Sequence, residues 1–169
     1  SRLEVIIAYD DSTDNTIQLL NTIPEHISVQ IHHMVYINNN IAERTRRISN
    51  ARNKIIEVIR EKYSDSDYFI MMDTNEYSCI GNMNISTLDY VFQHKDSWDS
   101  VSFDREAGYY DDWALSFSPF VYSFFHFPNF RKAVEIMRQA KKDWLGNASS
   151  GEFMEVLSAF NGFAIYKTN

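Results

Sequence analysis

The sequence predicts an α/β domain with a mostly parallel sheet and helices on its faces. Short apolar segments rich in β-branched and aromatic residues, which are typical of buried strands, alternate with longer segments whose apolar residues recur at helical spacing. Two of the strand-like segments also end abruptly in acidic residues, as strands do at the ligand-binding edge of an α/β sheet. These two observations together define the predicted fold class.

The length and composition of the chain are those of one ordinary globular domain. Its 169 residues suit a single core, so we expect one domain over residues 1–169. The net charge of −7 repels phosphate backbones and argues against a nucleic-acid-binding protein. A single cysteine, Cys79, excludes an internal disulfide and a cysteine-rich zinc site. No segment reaches the roughly 20 apolar residues of a membrane span, so we expect a soluble chain.

The first part of the chain predicts two strands and two helices. Asn40 followed three residues later by Glu43 is the pattern of a capping box, which begins a helix. Ile48, Ile55 and Ile59 continue at helical spacing and define the apolar face of that helix. The predicted strands cover residues 5–9 and 27–36, and the predicted helices cover residues 17–23 and 40–63.

The remainder of the chain predicts three strands and two helices. Residues 68–72 are apolar on both faces, as in a central strand of a parallel sheet. Ser86 can cap a short helix that ends at Lys95. The other elements are strands over residues 98–103 and 162–167, and a helix whose apolar face comprises Phe130, Ala133, Val134, Met137 and Trp144.

Acidic clusters follow the first and the third predicted strands. Asp10 and Asp11 come after one strand, and Asp73, Asn75 and Glu76 come after the other. In a parallel sheet both clusters fall on one edge, where carboxylate and amide oxygens suit an Mg²⁺ or Mn²⁺ ion that bridges to a diphosphate. The alternative is that these polar residues only end strands and cap helices.

Arg52 is a second candidate for ligand binding. It lies four residues after Ile48 and seven before Ile59, which places it on the apolar face of its helix. A buried guanidinium must find an anion, because an unpaired buried charge is costly. Its partner is either an acidic residue at a strand end or the diphosphate of a ligand.

The segment over residues 109–113 sets two carboxylates, Asp111 and Asp112, among aromatic residues. Tyr110 and Trp113 can stack on a sugar ring while the carboxylates accept hydrogen bonds from its hydroxyls. An ordinary surface loop is the alternative. The chain has neither a glycine-rich phosphate-binding motif nor the GxSxG motif of serine hydrolases.

Five blocks of the sequence follow one another in an order that is informative. They are Asp10-Asp11-Ser12-Thr13-Asp14-Asn15-Thr16, Arg47-Ile48-Ser49-Asn50-Ala51-Arg52-Asn53, Asp73-Thr74-Asn75-Glu76, Tyr110-Asp111-Asp112-Trp113-Ala114-Leu115 and Asn161-Gly162-Phe163-Ala164-Ile165-Tyr166-Lys167. Together they resemble small nucleotide-sugar glycosyltransferases of the GT-A fold. The last two blocks match a branch that includes modules of large DNA viruses and the fungal capsule-associated mannosyltransferases.

The resemblance implies a GT-A-like domain with a Rossmann-like central sheet. It also implies that the family's first strand, before Val5, and its C-terminal segment lie outside this chain, and that a viral member would act in the cytoplasm of an infected cell. The implied activity is transfer of a sugar from a UDP- or GDP-sugar to a hydroxyl of a glycan or glycoprotein acceptor, with Mn²⁺ or Mg²⁺ as cofactor.

The expected site residues follow from these blocks and from the composition of each segment. Asn75 replaces the second acidic residue of the family's Asp-x-Asp metal motif, and Glu76 follows it as a substitute carboxylate. The assignments are Asp10, Asp11, Ser12, Arg52 and Asp73 for the nucleotide; Asp73, Asn75 and Glu76 for the metal; Tyr110, Trp113, Asn161 and Gly162 for the sugar; and Asp111 and Asp112 as catalytic residues.

Two other functions fit the same sequence less well. A non-catalytic domain that binds sugars or nucleotide sugars is favoured by the amide at Asn75. A phosphoacceptor receiver domain also has an acidic pair after one strand and an aspartate after a later one. Asp10 and Asp73 lie 63 positions apart, which is longer than the compact strand–helix units of receivers allow.

Overall fold

The computed structural model describes most of the chain as two compact units, Ser1–Asp65 and Ser66–Asn169. Helices and strands alternate in both units, so the chain is α/β as predicted. Among the described residues, no helix combines the length and the apolar character that a membrane span needs. The described residues are 3–10, 13–24, 28–33, 44–76, 78, 81–104, 108–112, 114–117, 130–146 and 152–168.

The first unit contains a parallel pair of strands. Strand β1 (Glu4–Tyr9) pairs with β2 (Ser28–His33), with Glu4 opposite Ser28. The hydroxyl of Ser28 donates a hydrogen bond to the Glu4 carboxylate at 2.6 Å, which links the first residues of the two strands. Between the strands, helix α1 (Thr16–Leu20) has only five residues and is shorter than predicted.

Helix α2 (Arg44–Lys62) follows in the first unit. Ile59 is buried, and Ile48, Arg52 and Ile55 are half-buried, so the face predicted from the helical spacing is the less exposed one. The predicted capping box of Asn40 and Glu43 lies outside the described residues.

The second unit contains three strands and two helices. The N-cap of its first helix is Asn84 rather than the predicted Ser86, since the Asn84 side chain accepts a hydrogen bond from the Ser86 N–H at 2.9 Å. The elements are β3 (Tyr68–Met72), α3 (Ile85–Gln93), a 3₁₀ turn (Lys95–Ser97), β4 (Ser100–Ser102), α4 (Phe130–Gly146) and β5 (Phe163–Lys167).

The sheet of the second unit corrects the prediction of a mostly parallel sheet. Its strand order is β3-β5-β4, and β5 is antiparallel to both neighbours. Strands β3 and β4 therefore run in the same direction on either side of β5, with α3 in the connection between them. The prediction failed because the alternation of strands and helices does not encode the direction of a strand. Helix α4 lies between β4 and β5 in the sequence, but the described residues that lead directly into β5, 152–162, are irregular.

Two apolar clusters form the core of the second unit. One contains Leu115, Phe117 and Met137, of which Met137 lies on the predicted apolar face of α4 and is fully buried. The other contains Val91, Trp98 and Ile165. The indole N–H of Trp98 donates to the carbonyl of Val91 at 3.0 Å, so this buried polar group is satisfied.

Candidate functional site

The strand directions of the second unit bring the ends of three strands to one edge of its sheet. Strands β3 and β4 end there and β5 begins there, with Met72 opposite Phe163. The Asp73 N–H donates to the Gly162 carbonyl at 2.9 Å and links the segment after β3 to the segment before β5. Residues predicted from separate sequence blocks therefore meet at this edge.

A tight turn precedes β5 and contains two predicted sugar-binding residues. The Phe163 N–H donates to the Phe160 carbonyl at 3.3 Å, and the two residues between them have positive φ, 53° at Asn161 and 82° at Gly162. Positive φ at both central positions is the requirement of a type I′ turn, for which Asn-Gly is the preferred pair. The turn therefore accounts for both residue types.

The side chain of Asn161 holds the backbone of a neighbouring segment. It is only 5% exposed, and its Oδ1 atom accepts a hydrogen bond from the Tyr110 N–H at 2.9 Å. Its Nδ2 atom donates to the carbonyl of Phe103, after β4, at 2.9 Å. Asn161 thus fixes the position of Tyr110 at the sheet edge; direct contact of Asn161 with a sugar stays a prediction.

The hydroxyl of Tyr110 belongs to a chain of hydrogen bonds. Asn75 Oδ1 accepts from both the N–H and the hydroxyl of Ser78, at 2.9 and 3.1 Å. The Ser78 and Tyr110 hydroxyl oxygens lie 2.9 Å apart. Because Ser78 has one hydroxyl proton and gives it to Asn75, Tyr110 is the donor to Ser78. The phenol oxygen of Tyr110 therefore acts as an acceptor toward any further partner.

Gly162 packs directly against this chain of hydrogen bonds. A Cβ atom at this position would lie 2.6 Å from the Tyr110 hydroxyl and closer still to the Ser78 hydroxyl. Only glycine satisfies both this spacing and the positive φ. We call Asn75, Ser78, Tyr110, Asn161 and Gly162 the edge network.

The two predicted catalytic aspartates have different surroundings. Lys141 Nζ lies 2.5 Å from Asp112 Oδ1, and both side chains are largely buried. Lys141 also donates to the Tyr109 carbonyl at 2.7 Å, so this ion pair ties helix α4 to residues 109–112. Asp111 is half-buried, and its carbonyl accepts from the Ala114 N–H at 3.0 Å. A catalytic role of either aspartate stays a prediction.

The preceding residue, Tyr109, is held in the interior. Its hydroxyl oxygen accepts a hydrogen bond from the Phe160 N–H at 2.9 Å. Burial raises the pKa of the Tyr109 phenol well above its usual value, and the charges of Asp111 and Asp112 act in the same direction. Tyr109 therefore stays protonated over the physiological pH range.

The predicted nucleotide-binding residues of the first unit are described only in part. Asp10 Oδ2 lies 3.9 Å from a guanidinium nitrogen of Arg47, a pair in which both side chains are well exposed. Arg52 is half-buried with a buried Nε atom. Asp11 and Ser12, together with the predicted sugar-binding Trp113, lie outside the described residues.

The predicted metal site was expected at one edge of a single sheet. Among the described residues, Asp10 follows a strand of one sheet and Asp73 follows a strand of another, so a shared sheet edge is not formed by these strands.

The donor atoms of the predicted site fit a metal poorly. The oxygen of Asn75, its only ligating atom, already accepts two hydrogen bonds. Asp73 is half-buried and Glu76 is exposed, and the described part of the chain holds no group of three or more His, Cys, Asp or Glu that fits a metal ion. A cofactor role of Mn²⁺ or Mg²⁺ stays a prediction.

Two residues of this region were not predicted. Ser78 stands three positions after Asn75, and an Asn side chain that accepts from nearby backbone is a recognised turn pattern, so a signal for it was present. Lys141 lies on α4, and no feature of the sequence couples it to Asp112.

Comparisons with known protein families, with curated proteins and with solved structures find no match to this chain. The resemblance to GT-A glycosyltransferases therefore rests on the sequence blocks. The functional argument rests on the geometry of the second unit.

Proposed function

We propose that the chain binds a UDP- or GDP-sugar and transfers the sugar to a hydroxyl of an acceptor, with the edge network in contact with the sugar. One observation supports this proposal above the others. Residues from three blocks of the glycosyltransferase resemblance, Asn75, Tyr110 and the Asn161-Gly162 pair, interlock in one set of hydrogen bonds although they lie far apart in the sequence.

The chemistry of the edge network suits a sugar. All its members are uncharged, and the phenol oxygen of Tyr110 is oriented to accept a hydrogen bond, which a sugar hydroxyl can donate. Tyr110 is 36% exposed, and its ring offers a flat apolar surface beside that oxygen. Because Asn161 and Ser78 already fix Tyr110, binding costs little ordering of the side chain.

The proposed transfer needs a base for the acceptor hydroxyl. In that step the bond from the anomeric carbon to the diphosphate breaks with its electron pair on the diphosphate. The acceptor oxygen then bonds to the anomeric carbon and loses its proton to the base. We assign the base to Asp111 rather than to Asp112, since the ion pair with Lys141 gives Asp112 a positioning role.

The test compares nucleotide sugars with the bare nucleotides. We expect UDP- or GDP-sugars to bind to the wild-type chain, and Tyr110→Phe to weaken their binding about fivefold, which corresponds to one hydrogen bond of about 1 kcal/mol. Binding of UDP or GDP alone should not change. Titration calorimetry measures both, on chains whose melting temperatures are compared first.

Tyr90→Phe is the matched control. Tyr90 is 37% exposed, almost the same as Tyr110, and its hydroxyl makes no hydrogen bond within the described residues. If Tyr90→Phe and Tyr110→Phe weaken nucleotide-sugar binding equally, or neither does, the edge network is not the sugar site.

A second candidate is a domain that binds nucleotide sugars without turnover. Two observations favour it: the Asn75 oxygen is engaged by Ser78, and Asp112 is engaged by Lys141. Incubation of labelled UDP- and GDP-sugars with acceptor glycans, with and without Mn²⁺ or Mg²⁺, separates the candidates. If the chain binds the donor but transfers no sugar, with or without either metal ion, it is a non-catalytic binding domain. A receiver domain does not fit this sheet, because receivers have a doubly wound parallel sheet whereas β5 is antiparallel here.

A further inference from the structure

A second candidate binding site lies in the same unit as the edge network but is lined by different residues. It is an open cavity of about 630 Å³, which falls within the size range of small-molecule sites. Residues 97–102 supply one side and residues 152–159 supply another. Trp144 and Leu145 at the end of α4 also line it, together with Asp104, Tyr109 and Leu115. No member of the edge network lines this cavity.

The lining is rich in carboxylates. Asp99, Asp104, Glu152 and Glu155 all line the cavity and are all exposed, and no lysine or arginine is among its described lining residues. Lys167 Nζ lies 4.0 Å from Asp99, whereas the other three carboxylates have no ion-pair partner within the described residues. This charge repels phosphate, so the cavity is not a second nucleotide site, and it favours a ligand that donates hydrogen bonds.

The serine hydroxyls of the cavity lining further restrict the chemical class of the ligand. Four serines are interspersed with the carboxylates, and a serine hydroxyl both donates and accepts hydrogen bonds. An ammonium ligand can only donate, whereas a ligand with many hydroxyls satisfies serines and carboxylates together. The serines that line the cavity are Ser97, Ser100, Ser102 and Ser158, of which Ser158 already donates its hydroxyl proton to the Ala114 carbonyl and can only accept from a ligand.

Supported aromatic rings also line the cavity. The ring of Trp144 stacks on Phe117 with 4.5 Å between the ring centroids and an interplanar angle of 8°. Phe153 is 37% exposed and stacks on Tyr90 at 5.4 Å. Rings held in this way present flat apolar surfaces without a large loss of side-chain freedom on binding, which suits the apolar face of a sugar ring.

We propose that this cavity binds an uncharged carbohydrate. Under the proposed function, on which this second step rests, that carbohydrate is the acceptor whose hydroxyl receives the sugar. The inference of carbohydrate binding does not depend on the proposed function, because its evidence is the carboxylates, the hydroxyls and the stacked aromatic rings of the cavity.

The test uses the full chain and saturation-transfer NMR with a panel of neutral probes, maltose, cellobiose, lactose and methyl mannoside, together with spermidine as a cationic probe. The variant is the double substitution Glu152→Ala and Glu155→Ala, at two exposed residues whose loss leaves the apolar core intact. We expect at least one neutral sugar to bind to the wild type and the variant to lose at least tenfold in affinity.

The matched control is Asp89→Ala with Glu135→Ala, which removes two exposed carboxylates that do not line the cavity. This control should bind the sugar as the wild type does. The carbohydrate assignment is overturned if no neutral probe binds, if spermidine alone binds, or if the two double variants bind the sugar equally.

Nucleotide-sugar titration on the same samples separates this inference from the proposed function. The cavity variant should keep the wild-type affinity for the nucleotide sugar, since it leaves Tyr110 untouched. If no nucleotide sugar binds while a neutral sugar still binds in the cavity, the proposed function and the acceptor role fail and the carbohydrate site stands.

Discussion

Tyr109 and Tyr110 are neighbours in the chain, yet their hydroxyl groups have different roles in the second unit. The hydroxyl of Tyr109 is turned inward, where it accepts a hydrogen bond from Phe160, and its carbonyl is held by Lys141. The hydroxyl of Tyr110 is exposed and donates to Ser78 in the edge network. One tyrosine secures the position of the segment, and the other places its phenol oxygen in the edge network.

The difference shows how a short segment without regular structure can be both fixed and functional. The charged Asp112–Lys141 pair and the hydroxyl of Tyr109 hold the inner side of the segment against α4 and residue 160. The outer side uses only neutral hydroxyl and amide groups. Their hydrogen bonds leave the phenol oxygen of Tyr110 as a hydrogen-bond acceptor. Removal of polar groups on the inner side should therefore affect stability, and removal of the Tyr110 hydroxyl on the outer side should mainly affect binding.

The largest effect is expected on the inner side, for Lys141→Met. Methionine preserves much of the apolar stem but leaves the largely buried Asp112 carboxylate without its closest cation. We expect the free energy of unfolding to fall by about 3 kcal/mol, as for other broken buried ion pairs. Urea denaturation measures the loss. Lys142→Met, at the exposed neighbouring lysine, should change stability by less than about 0.5 kcal/mol. Equal losses at both lysines would contradict the anchoring role of Lys141.

Gly162→Ala tests the packing of the outer side. The new methyl group would collide with the hydroxyls of Ser78 and Tyr110, in addition to the strain of an alanine at positive φ. We expect a loss of about 2 kcal/mol together with weaker nucleotide-sugar binding. Gly108→Ala is the control, because Gly108 has a φ of 89° but open space around it, and it should cost about 1 kcal/mol. A Gly162 variant no less stable than the Gly108 variant would show that the predicted collision does not occur.

Removal of the two hydroxyls should separate stability from binding. Tyr109→Phe removes the hydroxyl oxygen that accepts a hydrogen bond from the Phe160 N–H, so we expect a loss of about 1.5 kcal/mol in stability. Tyr110→Phe removes an exposed hydroxyl and should cost less than about 0.5 kcal/mol in stability, with its effect confined to binding. Chemical denaturation of both variants checks the comparison, which fails if Tyr110→Phe is the more destabilising of the two.

The smallest expected effect is a dependence on alkaline pH. Because burial raises the pKa of Tyr109 in the folded state, the unfolded chain releases this proton first as the pH rises. Tyr109 therefore contributes full stability below the ordinary tyrosine pKa of about 10, and the contribution is lost progressively above it. The stability difference between the wild type and Tyr109→Phe should shrink between pH 9 and pH 11. A constant difference over that interval would mean that Tyr109 has an ordinary pKa.

The sequence predicted correctly those structural features that depend only on residues close together in the chain. The apolar segment at residues 68–72 predicted a strand, and that strand ends before Asp73 as expected. The Asn161-Gly162 pair was assigned from a resemblance, but its residue types already match the turn that the structure contains. These features depend on neighbours in the chain, which the sequence displays directly.

Features that depend on distant partners could not be derived in the same way. Nothing near β5 indicates that it inserts antiparallel between two strands that lie far earlier in the chain. The pairing of Lys141 with Asp112 likewise spans 29 positions, and each residue alone is an ordinary charged side chain. The predicted metal ligand Asn75 illustrates the limit for the site, because its amide suits both metal coordination and the turn with Ser78 that the structure contains.

The place of β5 in the sheet has a consequence for the order in which the second unit assembles. Its central strand is made last, so β3 and β4 leave the ribosome without the neighbour to which both will bind. The three-stranded sheet cannot form fully before Lys167 has been synthesised. Its strand pairs join residues that are distant along the chain. Such non-local pairing slows folding and leaves strand edges exposed while synthesis continues. Until then Asn161 cannot hold Tyr110, so the proposed ligand site at this edge can form only after residue 161 has been synthesised.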